Sequence, residues 1–345
     1  MACSEKPWCR CEPPIRGIRN MSDNIRQILI TGATGQIGRR LARLLSREID
    51  LGVVAATRSP EKAIDLGVPV VKLDYDHEET LAPALEGIDS VFMVTGYTVD
   101  MLRQSKAFID AAGRAHVRHI VHLGAPGDND TKVGHWGWHQ FVERYIERLG
   151  VSFTHLRPEM FMQNLLSYGG VRLNYRDGVL CHYTGDARLS WVDCDDVAAV
   201  AAATLKHPGA HAEKTYHLGY EAKSYPEIAE ILTGVMGQPF VAESRPPEEF
   251  LGQMLAAGAD PTYMQSVYQN WIDYQAGAIP RQDTVYDNFL GLTGRKPTTW
   301  IEFARKHAEA FKYGYRPLDG RYVSAIIRAQ DARDNEAGDR AHVFQ

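Results

Sequence analysis

One turn constrains this chain more than any other feature. Gln27-Ile-Leu-Ile-Thr31 is a short apolar run rich in β-branched residues. It passes through Gly32-Ala-Thr34-Gly35-Gln36-Ile37-Gly38 into a segment with apolar residues at helical spacing, Ile37, Leu41, Leu44 and Leu45. A buried strand that hands over to a helix through such glycines forms a dinucleotide-binding turn. Gly32 turns the chain off the strand, Gly35 lets backbone approach a pyrophosphate, and Gly38 lets the helix pack close to the strand. The free N–H groups and positive dipole end of the helix then face the anion. The spacing is G-x-x-G-x-x-G rather than G-x-G-x-x-G, so a tight turn without a ligand is the alternative. The strands that follow weigh against it.

Further buried strands are expected at 53–57, 68–73, 90–95, 119–124 and 151–156, the last stopped by Arg157-Pro158. Helices alternate with them, at 101–113 with Gly113 as the closing signal and at 138–149 before Gly150. This pattern predicts an α/β fold, a Rossmann-type doubly wound parallel sheet. After Pro158 the pattern loosens. An alanine-rich helix is expected at 195–205, a strand at 214–218, a helix capped by Ser224, mostly helical chain over 246–274, and a helix at 298–313 capped by Thr298 or Thr299. The expected organisation is an extension at 1–26, a cofactor domain at 27–159, a smaller and mostly helical lobe at 160–313 that partly returns to the sheet, and a tail at 314–345.

Charge and cysteines exclude several classes. The net charge is −5 and the longest basic cluster is Arg39-Arg40, which argues against a nucleic-acid surface. No apolar run reaches membrane-span length, and the first twenty residues lack the apolar core of a secretory signal. The expectation is a cytoplasmic protein with no membrane partner. Cys3, Cys9 and Cys11 lack an evident fourth ligand, and the five cysteines do not form a disulfide pattern, so no metal site is expected. Met21 is an alternative start that would leave the preceding segment as an extension.

The end of the second strand selects the cofactor. An acidic residue there would bond the ribose 2′-hydroxyl and repel a 2′-phosphate. The chain instead has Arg58-Ser59-Pro-Glu-Lys62, where Arg58 can fork onto a phosphate, Ser59 can donate and Lys62 adds charge. NADP(H) is therefore expected over NAD(H), unless Arg58 is only a solvated charge. Asp74-Tyr75 is expected beside the adenine, and Thr95-Gly96 along the pyrophosphate or nicotinamide ribose.

Four stretches resemble the NmrA-like branch of the atypical short-chain dehydrogenase/reductases. They are residues 31–38, 57–62, Phe153-Thr-His-Leu-Arg-Pro-Glu-Met-Phe-Met-Gln-Asn164 and Leu290-Gly-Leu-Thr-Gly-Arg-Lys-Pro297. The resemblance covers roughly residues 27–313. It implies a monomer or homodimer that binds NADP(H), with a small-molecule cleft between the sheet's carboxyl edge and the smaller lobe. Family members include quinone and dye reductases and non-catalytic redox regulators.

The resemblance also exposes a departure. The superfamily's proton relay uses a serine after the fifth strand and a Tyr-x-x-x-Lys helix. Here Gly124 stands at the serine position, and alignment on Glu143 puts His135 at the tyrosine position and His139 at the lysine position. His135 and His139 are candidate catalytic residues, since imidazole can donate or accept a proton. Alternatively His139 only bonds the cofactor ribose, while His135 caps or packs against Trp136 or Trp138. Glu159 replaces the family's common glycine. It could face the cleft as an acid, pair with Arg157, or point to solvent. Phe161, Met162 and Asn164 are expected, with Glu159, to line the substrate pocket, the alternative for Phe161 and Met162 being core packing. Asp195 or Asp196 is read as a helix cap rather than a metal ligand. Tyr263, Tyr268, Trp271 and Tyr274 could wall the cleft or pack helices. Two functions are open: NADPH-dependent reduction of a quinone-like or conjugated aromatic molecule by hydride transfer, and a non-catalytic NADP(H) sensor acting through a protein partner.

Overall fold

A computed structural model describes residues 25–166 and 178–313. The expected extension up to residue 24, with Cys3, Cys9 and Cys11, and the expected tail at 314–345 lie outside the described residues.

The first half of the chain alternates strands with helices. It comprises β1 Arg26–Ile30, α1 Gln36–Leu45, β2 Leu51–Thr57, β3 Val70–Lys72, α2 Leu81–Leu85, β4 Ser90–Met93, α3 Met101–Arg114, β5 His119–Leu123, α4 Gly134–Leu149 and β6 Ser152–Pro158. The remainder is β7 Met160–Phe161, β8 Val179–His182, β9 Leu189–Val192, α5 Cys194–Lys206, α6 Pro208–His211, β10 Lys214–Leu218, β11 Glu221–Lys223, α7 Tyr225–Met236, β12 Val241–Ser244, α8 Pro247–Ala256, α9 Pro261–Gln275, α10 Phe289–Thr293, α11 Trp300–Lys306 and α12 Ala308–Tyr313.

Seven strands form one sheet in the order β10-β6-β5-β4-β1-β2-β3, every pair parallel. Side chains alternate between its faces. Ile28, Ile30, Phe92 and Val121 enter one core with α1 and α5. Leu29, Val91, Met93 and Ile120 enter the other, with α3 and α4. This is the doubly wound Rossmann architecture expected from the sequence. The second core runs without a break from Val133 and Trp136 into Tyr263, Met264 and Trp271 of the smaller lobe. Strand order reverses between β1 and β4, which opens a crevice at the sheet's carboxyl edge. Among the described residues no helix is long and apolar enough to cross a membrane.

Local differences from the sequence have physical causes. Helix α3 continues through Gly113, where a Cβ would meet Leu149 at 3.0 Å. The left-handed residue after it is His116, with φ 58°. Helix α4 starts four residues before Trp138, at Gly134, despite its two glycines. Strand β6 continues through Arg157-Pro158. Pro158 is its last residue and pairs with Leu218, so its missing N–H costs little. The cap of α5 is Asp193, which accepts from the Asp195 N–H, and not Asp195 or Asp196. Thr299 caps α11, and Ser224 forms a full capping box on α7.

Candidate active site

The site begins where β1 becomes α1. The Thr31 hydroxyl donates to Phe92 O at 3.1 Å and accepts from the Val94 N–H at 2.9 Å, stitching the turn to β4. Gly32 has φ +59°, a conformation that glycine adopts without strain. A Cβ on Gly38 would lie 2.3 Å from Gly32 O. Gly35 caps α1 with no side-chain hydrogen bond, so the first N–H groups of α1 meet no capping oxygen.

A cavity opens over this turn. Gly32, Thr34, Gly35, Gln36, Ile37, Gly38, Arg58, Tyr75, Thr95, His135, His139, Glu159, Phe161 and Asn164 line it, as expected residues of the site. The Tyr75 hydroxyl donates to Val94 O at 2.9 Å, which fixes its ring beside the crevice. Four expected cofactor residues lie outside the lining. Ser59 and Lys62 sit beside Arg58, on and next to the short turn Pro60–Lys62, while Gly96 is buried behind Thr95. Asp74 closes its own turn, accepting from the Asp76 N–H at 3.1 Å and meeting His77 Nδ1 at 3.0 Å. Met162 is not a pocket residue. It is fully buried in the core, where the short helix Met162–Leu165 turns it away from Phe161.

The histidines occupy apolar ground. His135 and His139 are buried on α4. Burial pulls both down to about 3, so both are neutral near pH 7. His135 Nδ1 lies 2.9 Å from Ser266 Oγ, and its ring packs on Tyr263 at 5.3 Å. His139 Nδ1 is buried without a partner among the described residues. Behind it lie His122 and His155, both held neutral by burial, His122 at about 3 and His155 at about 2.

Glu143 does not reach the cavity. Arg157 grips both its oxygens, Nε to Oε1 at 3.0 Å and Nη2 to Oε2 at 2.5 Å. His122, Glu143 and His155 bring ligand atoms within 4.8 Å of one another. A cation there would have to displace the guanidinium that already neutralises the carboxylate.

Because Arg157 is taken, Glu159 does not pair with it, and it does not point to solvent. Its carboxyl is nearly buried, with His217 Nδ1 3.9 Å away. Burial pushes it above the usual carboxyl range, and the neighbouring His217 and Tyr286 partly offset the rise. Several wall residues gave no readable signal in the sequence, among them Leu123, Cys194, Met264, Val267 and Asn270. They are ordinary core-type residues until the lobe folds over the sheet. Tyr263, Trp271 and Tyr274 wall the cavity, whereas Tyr268 reaches outward to Glu248 at 2.8 Å.

The NmrA-like family matches residues 24–304. The NAD(P)H azoreductase of Xenophilus azovorans is 34% identical over 82% of this chain and 99% of its own. Quinone oxidoreductase 2 of Escherichia coli K12 is 28% identical over 81% of this chain and 98% of its own. Among solved structures, the Citrobacter sp. triphenylmethane reductase complexed with NADP(H) superposes with a TM-score of 0.69 and 26% identity, over 82% of this chain and 99% of the other.

Proposed function

The chain belongs to the NmrA-like family, and from that premise we propose that it reduces a quinone-like or conjugated aromatic small molecule with NADPH. It is an NAD(P)H-dependent oxidoreductase, in keeping with the names of its relatives. One observation carries the reading. The uncapped N-terminus of α1 and the aromatic wall of α4 and α9 open into the same cavity.

The residues fit a nicotinamide dinucleotide. The Gly32–Gly38 turn is a cradle that a side chain would fill, and the N–H groups at the start of α1 would hold the pyrophosphate. Thr34, Gln36 and Ile37 would border it, with Tyr75 and Thr95 further along. Arg58 would fork onto a 2′-phosphate, flanked by Ser59 and Lys62. That residue set supports NADP(H) over NAD(H). Residues 27–159 would thus carry the cofactor, and 160–313 would build the substrate wall together with α4. When bound, the reduced nicotinamide supplies a hydride.

The chain's own residues then bind, orient and exclude water. Trp136, Phe161, Tyr263 and Trp271 offer flat apolar surface to a planar acceptor. His139 stays neutral, and its role is a hydrogen bond to the cofactor ribose rather than proton donation. His135 positions α4 against Ser266. An acceptor whose reduced form is a stable anion needs no acid from the protein, so the loss of the serine–tyrosine–lysine relay does not prevent its reduction.

A second reading rests on that same loss at Gly124, His135 and His139. A chain without the relay would serve as an NADP(H) sensor acting through a protein partner. NADPH consumption against a panel of quinones and dyes separates the two. Turnover supports the reductase; tight NADPH binding without turnover on any acceptor supports the sensor.

A further inference from the structure

The cavity wall holds one carboxyl that the cofactor site does not use. Glu159 follows β6 directly, and its N–H donates to Leu218 O at 2.9 Å, which carries the chain over the carboxyl edge beside β10. Its side chain is 9% exposed and faces the cavity. The placement depends on Gly219. A Cβ there would lie 2.6 Å from Glu159 Cγ and 2.2 Å from Ser190 Oγ. The fold therefore keeps a glycine where any side chain would push the carboxyl aside.

A path to solvent runs behind it. His217 Nδ1 is 3.9 Å from Glu159 Oε1, and His217 Nε2 is 3.4 Å from Asp128 Oδ1. Tyr286 stacks on the imidazole at 5.2 Å and 20°, holding its plane. The Asp128 side chain is 34% exposed. It also pairs with Arg281 and lies 3.5 Å from Arg157 Nη1. At 3.9 Å the His217–Glu159 pair is not yet hydrogen-bonded, and catalytic contacts often tighten only on binding.

We infer that Glu159 is the proton donor to acceptors reduced in this cavity and that His217 reloads it from water at Asp128. The inference rests on the reductase reading above. For an azo acceptor, the hydride forms one N–H bond and the π pair of the N=N bond becomes a lone pair on the second nitrogen. The Glu159 O–H bond breaks and a second N–H bond forms there. Glu159 is left as a carboxylate and regains a proton from His217 Nδ1 as Nε2 takes one from solvent hydronium at Asp128, so each turnover consumes one proton from the medium. A triarylmethyl cation accepts the hydride alone and needs no proton. The two acceptor classes therefore differ in their need for Glu159.

The groups that face Glu159 are His217 on β10, Tyr286 on the segment before α10, and Tyr274 on α9. None replaces water around the carboxylate fully, and burial favours the neutral acid. His135 and His139 cannot donate in its place, since burial leaves both neutral.

The test compares wild type with Glu159→Gln on a water-soluble azobenzene dye and on a triphenylmethane cation dye, with NADPH. The loss on the azo dye is expected to exceed that on the cation by about a hundred-fold. The wild-type rate on the azo dye should fall as pH rises through the raised carboxyl range, and the variant should lack that limb. Glu159→Asp should restore part of the azo rate. His217→Phe should lower the azo rate selectively and alter its pH profile. Equal losses on both dyes would overturn the inference. A second readout needs no cofactor. Infrared titration of the cofactor-free protein should show a protonated carboxyl band, missing in Glu159→Gln, that persists above the range where exposed glutamates ionise. Absence of that band also overturns it. If wild type binds no coenzyme or reduces neither dye, the reductase reading fails, and with it this donor role, whatever the infrared titration shows.

Discussion

Gly124 abuts Glu143: a Cβ on Gly124 would lie 3.1 Å from Glu143 Oε1 and 3.4 Å from His122 Cε1. Since Arg157 holds both oxygens of Glu143, the carboxylate has little freedom to withdraw. A serine at this position would therefore crowd that carboxylate. Gly124→Ser should destabilise the fold by about 1–3 kcal/mol and should not raise turnover. Urea unfolding midpoints and NADPH consumption check this, and an unchanged midpoint would contradict it.

The Arg157–Glu143 fork itself is nearly sealed from water, at 5% and 1% side-chain exposure. Breaking it leaves a buried guanidinium with only the looser contact to Asp128, 3.5 Å from Nη1, as counter-charge. Glu143→Ala should cost about 3–5 kcal/mol, read as a lower urea midpoint. A loss under about 1 kcal/mol would show that water or another carboxylate reaches Arg157.

Stability should fall steeply in mild acid. Burial holds His122, His135 and His139 at about 3 in the folded chain, below the ordinary 6.5. The unfolded chain therefore takes up these protons first as pH drops. Their contribution is complete above about 6.5 and is lost as pH falls from there towards 3, at up to about 1.4 kcal/mol per pH unit for each histidine. His122→Leu should remove one such share, flattening the unfolding free energy between about pH 6 and 4. A slope equal to wild type would contradict the assignment.

Much of the fold was legible because it is written in local chemistry. The strand Lys214–Leu218 follows from its own residues, and the helix after Ser224 from a serine cap with proline in the first turn. The Gly150 cap is equally local, with φ 75°. What escaped depends on partners far along the chain. The first turn of α4 contains Gly134 and Gly137, which read as breakers, yet the Ser266 hydroxyl accepts from the His135 N–H at 2.9 Å and anchors that turn. The Arg157-Pro158 pair reads as a stop, but β10 pairs with it to the last residue. Met162 was indistinguishable from Phe161 by type, and only the short helix that follows sends one to the core and the other to the cavity. The cofactor turn was legible since its glycines carry their own geometry. The carboxyl neighbourhoods were not, because Glu143 and Glu159 are alike in sequence and differ in whether Arg157 reaches them.

Arg58 lines the cavity just past the end of β2, where the proposed reading has it select the coenzyme. Arg58→Asp should weaken NADPH binding about tenfold or more, the value of a charged hydrogen bond to phosphate, and leave NADH binding equal or tighter. An unchanged NADPH-to-NADH affinity ratio would contradict the phosphate contact.

Calorimetric titration of the purified protein with NADPH, and in parallel with NADH, tests the central claim most directly. Saturable heat with one coenzyme per chain, tighter for NADPH, is the expected result. No heat from either coenzyme on folded wild-type protein would contradict the account.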